Sequence, residues 1–267
     1  MGAIDQSRLM ALLQGCAWGR PATVLASCHS TNTALLENVA GRVHGELLAT
    51  DCQQAGRGQR TRSWWSGRGD NLALSVFLRP DCPAETAASL VLPISLAVRE
   101  ALAQHSRLPL RIKWPNDIVL GGRKLAGILC ESRLCGQRVD ALVVGIGVNV
   151  NSPALPADIA TTASSLYIES GQKLDMTELI ASIVQQLSNM LPLWWAGDGR
   201  SKDTLLEQYT HYSDLIGKRM AWHTGDGERD QGYVQGFSAE GALILQNQAG
   251  SRKIYRVGEL STQAPPP

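Results

Sequence analysis

Three arginines lie close together in the stretch QQAGRGQRTRSWW, residues 53–65, on a backbone loosened by glycine. The side chains of Arg57, Arg60 and Arg62 carry planar guanidinium groups, which bind phosphate or carboxylate through two parallel hydrogen bonds. By itself the stretch is compatible with a solvated loop, a nucleic-acid patch, or a loop that closes over an anionic ligand. Trp64 favours the last of these, because it begins a pair of adjacent indoles that are expected to pack against something.

Two further segments bring cations and amides to predicted strand ends. KWPND, residues 113–117, joins a rigid proline turn to Asn116 and Asp117, and this aspartate could serve Mg²⁺ or an amine. Lys124 follows in RKLAGIL, beside the turn of a predicted hairpin. Taken singly, KWPND is equally typical of an ordinary turn, and a lone hairpin lysine is usually a solvated edge residue.

The segment GIGVN, residues 145–149, places two glycines in a predicted strand. It lacks a third glycine and a following helix, so it does not fit a dinucleotide-binding turn. Glycines in a strand allow close approach of another backbone or of a flat ring such as a purine. The sequence contains no P-loop, no GxSxG motif and no paired histidines. The remaining cations and amides indicate a catalyst that works by orienting an anionic ligand and stabilising its charge.

The composition indicates a folded protein with one large domain, or one large and one small domain. The 267 residues are 44% hydrophobic and 18% charged, and the formal net charge of +1 argues against a protein that coats nucleic acid. The six cysteines have neither CxxC nor zinc-site spacing, which favours reduced thiols. The N-terminus lacks a signal-peptide pattern and no apolar run approaches the ~20 residues of a membrane helix, so we expect a cytoplasmic protein.

Strands are predicted on both sides of the arginine stretch, at residues 45–50 and 71–78. This position makes the stretch a long connection inside a domain, and such connections are usually functional or mobile. A helix that ends at Gly41 is predicted just before it, with Ser30 or Thr31 as its N-cap. Further strands are predicted at 109–114 and 139–150, with a hairpin at 116–132 that turns at Gly121 and Gly122. Further helices are predicted at 4–15, 85–105, 176–195 and 202–212, and Asp175 is the predicted cap of the third of these.

The frequent hairpins favour an α+β fold over a doubly wound one. We predict a mixed, largely antiparallel sheet packed with helices over residues 1–215. From Gly217 onward, short strands separated by glycine-containing turns indicate a small β-barrel, residues 216–262. The proline-rich end, residues 263–267, is predicted to be a disordered tail.

Five motifs resemble, in order and spacing, those of biotin protein ligases, also called biotin–[acetyl-CoA-carboxylase] ligases. They are STN, QQAGRG with the following arginine and tryptophan, KWPND, RKLAGIL.E and VGIGVN, and they span residues 30–149. The resemblance implies a catalytic domain similar to class II aminoacyl-tRNA synthetases, followed by an SH3-like barrel. It also implies that biotin, ATP and Mg²⁺ give biotinyl-5′-AMP. Biotin then passes to a lysine on the biotin carboxyl carrier protein of acetyl-CoA carboxylase.

The same resemblance implies roles for individual residues. The residues implied to bind biotin are Ser30, Thr31, Asn32, Gln53, Arg57, Gly58, Gln59, Lys124 and Gly127. The residues implied to bind ATP or the adenylate are Arg60, Arg62, Trp64, Asn116 and Asn149. Lys124, Arg57 and Asp117 are the implied catalytic residues, and Asp117 is also the implied Mg²⁺ ligand.

The chain departs from the family pattern in two ways. Gln59 stands where the family loop usually has arginine, and Thr61 where it usually has glycine. Our hypothesis is that Gln59 lets the adenylate escape more readily, and equal escape rates from the natural protein and Gln59→Arg would contradict it. The predicted helix at residues 4–15 leaves no room ahead of the main domain for a three-helix DNA-reading module, so we expect no DNA binding. The sequence does not determine the oligomeric state.

Two other functions remain as alternatives. A lipoate–protein ligase or octanoyltransferase shares the broad fold, and calorimetry with biotin and lipoate in the presence of ATP separates it from a biotin ligase. A nucleic-acid-binding module built around the arginine stretch would bind nonspecific nucleic acid with a steep salt dependence.

Overall fold

The computed structural model describes residues 4–58, 63–196, 198–223, 229–255 and 259–261. The α-helices are α1 Gln6–Leu12, α2 Thr31–Leu36, α3 Val91–Ser106, α4 Leu166–Ser170, α5 Met176–Trp195 and α6 Gly199–Tyr212. The first nine strands are β1 Ala22–Leu25, β2 Glu46–Thr50, β3 Gly56–Arg57, β4 Ser63–Trp64, β5 Asn71–Leu78, β6 Arg111–Lys113, β7 Asp117–Leu120, β8 Arg123–Cys135 and β9 Arg138–Asn149. Five strands follow, β10 Arg219–His223, β11 Arg229–Phe237, β12 Leu243–Gln246, β13 Arg252–Tyr255 and β14 Glu259–Ser261.

A seven-stranded sheet forms the centre of the larger part, in the order β1-β2-β5-β9-β8-β7-β6. Only β1 and β2 pair in parallel, and the other neighbours are antiparallel. The two central strands β5 and β9 are apolar along almost their whole length, as expected for strands that are covered on both faces. The predicted mixed, largely antiparallel sheet is therefore confirmed.

Local capping signals locate the starts of α2 and α5 correctly. Ser30 caps α2 by accepting a hydrogen bond from the backbone N–H of Thr33, and Asp175 caps α5 in the same way through its first turn. Helix α2 is shorter than predicted, because it ends at Leu36 and a separate 3₁₀ turn, Val39–Gly41, follows.

The C-terminal strands form a separate antiparallel sheet in the order β13-β12-β11-β10-β14. Its inner side chains join the main hydrophobic core, where the ring of Phe237 packs edge-on against that of Tyr209 with centroids 5.0 Å apart. Trp114 also donates a hydrogen bond from Nε1 to the carbonyl of Gly241 at 3.0 Å. The small sheet thus packs against the strand end that carries KWPND. The predicted tail, residues 263–267, lies outside the described residues.

One helical segment has the length and composition of a membrane-spanning helix. It is Ala84–Ser106, 23 residues long, so the expectation that no apolar run approaches this length is wrong. In the fold, 61% of its most apolar window is buried inside the protein, where α3 packs beneath the sheet and against α5. Its apolar character therefore has an explanation in core packing.

Candidate functional site

One cavity brings together ten of the residues predicted to act on the ligands. It lies where α2, the arginine stretch and the strands β5, β8 and β9 meet. The predicted residues that line it are Ser30, Thr31, Asn32, Gln53, Arg57, Gly58, Trp64, Asn116, Lys124 and Gly127. Ala73, Ile128, Leu129, Gly145, Ile146 and Gly147 complete the wall, mostly from the two central strands.

A chain of hydrogen bonds joins the polar residues on one side of this cavity. The Oε1 atom of Gln53 accepts from the backbone N–H of Thr31 at 3.0 Å and lies 3.3 Å from its hydroxyl. The Ser75 hydroxyl lies 2.7 Å from Oγ1 of Thr31 and donates to Oδ1 of Asn32 at 2.6 Å. Thr31, Asn32 and Ser75 are all buried, so this chain holds polar atoms in fixed positions away from bulk water.

Each of the two described cations of the site is paired with a carboxylate of the protein. Nη2 of Arg57 lies 2.8 Å from Oε2 of Glu131, and Nζ of Lys124 lies 2.6 Å from Oδ1 of Asp117. Asp117 does not line the cavity itself, and it meets the site through Lys124. Arg57 and Lys124 can offset the charge of an anionic ligand only if each of them contacts the ligand as well as its carboxylate partner.

The floor of the cavity is flat because glycines face each other across two strands. Gly127 of β8 pairs with Gly147 of β9. A Cβ atom at Gly147 would lie 2.4 Å from Cε2 of Trp64, and one at Gly127 would lie 2.8 Å from Nζ of Lys124. The ring that lies against Gly147 is the Trp64 indole of the protein itself. The approach of a flat ligand ring such as a purine stays a prediction. Nε1 of Trp64 is buried and has no hydrogen-bond partner within the described ranges.

Lys124 is held in place by a segment whose role could not be read from the sequence. Its backbone N–H donates to the carbonyl of Thr162, and its carbonyl accepts from the N–H of Ser164, both at 2.9 Å. Asn149 is buried outside the cavity, and its Nδ2 donates to the Ser164 carbonyl at 2.9 Å. Asn149 therefore supports the segment beside Lys124. In the cavity wall, Asn116 donates from its amide to the Ile128 carbonyl at 2.6 Å.

Burial suppresses ionisation of two side chains next to the site. It raises the pKa of the Cys130 thiol to about 12, with a further contribution from the charge of Glu131. Burial, followed by the charge of Asp117, raises the pKa of Tyr209 well above its ordinary value. Both groups stay neutral near pH 7, so neither is an activated nucleophile.

Three predicted site residues, Gln59, Arg60 and Arg62, lie outside the described residues. Glu131 and Ser75 were not predicted as site residues, although the family motif RKLAGIL.E contains that glutamate. Their side chains contact site residues that lie far away along the chain, and no local pattern signals such contacts.

Comparison with known proteins places this site in a family. Residues 24–149 match the model of the Biotin/lipoate A/B protein ligase family. The chain is 33% identical to the bifunctional ligase/repressor BirA of Escherichia coli over 248 residues, which are 92% of this chain and 75% of the relative. It is also 33% identical to the biotin–[acetyl-CoA-carboxylase] ligase of Paracoccus denitrificans over 237 residues, 86% of this chain and 96% of the relative.

The fold has a solved counterpart in the biotin protein ligase of Aquifex aeolicus, determined in complex with biotin and ATP. The two superpose with a TM-score of 0.77 at 28% identity, covering 90% of this chain and 97% of the other. The predicted fold class and the resemblance are thus confirmed. From its motifs, its fold and a 33% identical relative matched over nearly its whole length, the chain belongs to the biotin protein ligase family.

Proposed function

We propose that this protein activates biotin with ATP to biotinyl-5′-AMP and then transfers the biotinyl group to a lysine of a carrier protein. The observation that carries the proposal is the cavity of a biotin ligase fold in which Arg57 and Lys124 stand beside a flat glycine floor. Biotin brings a carboxylate and ATP brings phosphates, so the two substrates repel each other. Two cations in one partly enclosed site offset that repulsion and hold the reacting groups together.

Each residue of the site is assigned a role according to where it lies. Lys124 lies beside the glycine floor and is assigned to the oxygens of the biotin carboxylate and the α-phosphate. Arg57, on the arginine stretch, is assigned to the same anions from the other side. The polar chain through Gln53, Thr31 and Asn32 offers fixed donors and acceptors to the neutral part of biotin. In the adenylation step, a biotin carboxylate oxygen forms a bond to the α-phosphorus and pyrophosphate leaves.

Asp117 is the residue we assign to Mg²⁺. Nucleotide sites commonly hold Mg²⁺ through one or two carboxylates together with the substrate phosphates, so a single aspartate fits the ion. Within the described part of the chain, no group of three or more His, Cys, Asp or Glu side chains could form a metal cage. The ion would neutralise phosphate charge. Asp117 meanwhile holds Lys124 through their 2.6 Å contact.

The acceptor we propose is the biotin carboxyl carrier protein of acetyl-CoA carboxylase, after the named activity of the Paracoccus denitrificans relative. The Escherichia coli relative is named as both ligase and repressor, and only the ligase activity is proposed here. We further propose residues 1–215 as the domain that binds biotin and ATP, and residues 216–262 as a small accessory barrel. The reaction is assigned to the cytoplasm.

The test is to incubate the full chain with biotin, Mg-ATP and a carrier domain and to measure the mass of the carrier. We expect the carrier to gain one biotinyl group, and Lys124→Met to lower the rate by at least about 100-fold, as for loss of a charge-stabilising donor. Lys218→Met is a matched control, because Lys218 also pairs with an aspartate, Asp214 at 2.9 Å, and neither residue lines the cavity. It should leave the rate unchanged. No mass gain with biotin, or a gain with lipoate instead, would refute the proposed function.

A further inference from the structure

Glu131 connects the arginine stretch to the buried side of the cavity through a single oxygen atom. Its Oε2 accepts one hydrogen bond from Nη2 of Arg57 and another from Nδ2 of Asn32, both at 2.8 Å. These two donors come from segments far apart in the chain, α2 and β3. Glu131, on β8, therefore joins three elements at the edge of the cavity.

The inner partner of Glu131 is rigidly held. Asn32 is buried, and its Nδ2 also donates to the Leu129 carbonyl at 3.1 Å while its Oδ1 accepts from the Ser75 hydroxyl at 2.6 Å. The absence of a side chain at Gly145 makes room for this arrangement, because a Cβ there would lie 2.2 Å from Oδ1 of Asn32. The position of the Glu131 carboxylate is thus set from the protein interior.

The outer partner of Glu131 is much freer. The Arg57 side chain is 45% exposed, compared with 25% for that of Glu131. An ion pair at this exposure adds little to stability, because water and salt screen it. What it can do is orient the guanidinium group, since a fixed carboxylate at 2.8 Å restricts the directions that its other N–H donors can take.

We propose that Glu131 is a positioning residue, which orients Arg57 toward the anions of the substrates. The inference rests on the proposed function, because it assigns Glu131 a part in the adenylation step. Glu131 does not contact the reacting atoms itself. It acts through Arg57, while Asn32 holds the Glu131 carboxylate in place. The guanidinium group is therefore already aligned when the ligand binds, and it loses less conformational freedom on binding.

A simpler role has to be separated from this one. If Glu131 only supports the buried Asn32, its loss would weaken the site whether or not Arg57 is present. A double-mutant cycle distinguishes the two roles, because residues that act through one another have effects that do not add.

The experiment measures pyrophosphate release with biotin and Mg-ATP for the full chain, for Glu131→Gln, for Arg57→Met and for the double variant. We expect Glu131→Gln to lower kcat/KM for biotin by about tenfold in the natural background, the scale of one charge-assisted hydrogen bond. In the Arg57→Met background the same substitution should change kcat/KM by less than about twofold. Asp140→Asn is the matched control, since Asp140 on β9 pairs with Arg79 and with Arg133 of β8, and none of the three lines the cavity. It should leave kcat/KM unchanged.

A tenfold loss from Glu131→Gln that persists in the Arg57→Met background would overturn the positioning role. An increase in kcat/KM for Glu131→Gln would also overturn it, because it would mean that Glu131 competes with the ligand for Arg57. If Glu131→Gln does not fold, as judged by circular dichroism, Glu131→Asp replaces it in the same double-mutant cycle. Aspartate keeps the negative charge, but its side chain is shorter and does not reach Arg57 as glutamate does. Absence of pyrophosphate release from the natural protein would refute the proposed function instead. The two failures are therefore distinguishable.

Discussion

A methyl group at Gly145 would collide with the buried amide of Asn32. The Cβ atom of Gly145→Ala would lie 2.2 Å from Oδ1 of Asn32, whereas real contacts of this kind are essentially never closer than 3.0 Å. Asn32 would have to withdraw by roughly 0.8 Å, and a crowded interior has little space for such a shift. The three hydrogen bonds to Leu129, Glu131 and Ser75 oppose the withdrawal.

Two costs set the size of the effect. Overpacking of a tight interior costs about 1–3 kcal/mol, and leaving one buried polar group unsatisfied costs about 1–3 kcal/mol. The smaller conformational freedom of alanine in the unfolded chain offsets about 0.4–1 kcal/mol of this. We therefore expect Gly145→Ala to lower the free energy of unfolding by about 3 kcal/mol, with most of the loss arising at Asn32.

Urea denaturation followed by circular dichroism measures this change. With a slope of about 3 kcal/mol/M, the midpoint should fall by about 1 M. Gly236→Ala is the control, because Gly236 is also a strand glycine and a Cβ there would meet nothing within 4 Å. Equal midpoints for the two variants would show that Asn32 moves aside without cost, and the account of the buried polar chain would then be wrong.

Two further predictions concern the cavity floor and the start of helix α5. Gly147→Ala should lower adenylation at least about tenfold yet change stability by less than about 1 kcal/mol, because the three atoms nearest to the new methyl all belong to the Trp64 ring, which can turn aside. Pyrophosphate release checks the first part and urea midpoints the second, and full activity would contradict the first. Asp175→Ala should cost about 1 kcal/mol at pH 7 through loss of the helix cap. Burial raises the pKa of Asp175, but backbone hydrogen bonds and Arg8 outweigh it and lower the pKa overall. Stability from a depressed pKa is present above the unfolded value and is lost as pH falls through the folded one, so the difference between Asp175→Ala and the natural protein should shrink below about pH 4.

Local patterns predicted most of the strands and helices correctly. The apolar run of β9, the glycine turn before β8 and the aspartate cap of α5 each reflect a preference that acts over a few residues. Two helices depart from their predicted bounds. Ala84–Leu90 form a 3₁₀ helix before α3 begins at Val91, and α2 ends earlier than predicted. The predicted continuation of α2 to Gly41 extended the apolar pattern beyond the point where the chain leaves the helix.

The candidate site was predictable as a set of residues but not as a set of contacts. The order of the motifs identified Arg57, Lys124 and Asn32, and the cavity brings all three together. The partners of these residues could not be read from the same motifs. Asn149 donates a hydrogen bond to the backbone beside Lys124, and its role toward the adenylate, implied by the resemblance, stays a prediction.

The sequence by itself determined which side chains could bind an anion and which short segments form strands and helices, because composition and periodicity act locally. Only the tertiary structure decided that Arg57 meets Glu131, 74 residues away, and that Asn32 meets the same carboxylate, 99 residues away. Such pairs depend on strand order and register, which the packing of the whole chain determines. For the same reason, Gly145 and Gly147 have a function only where Asn32 and Trp64 fold onto them.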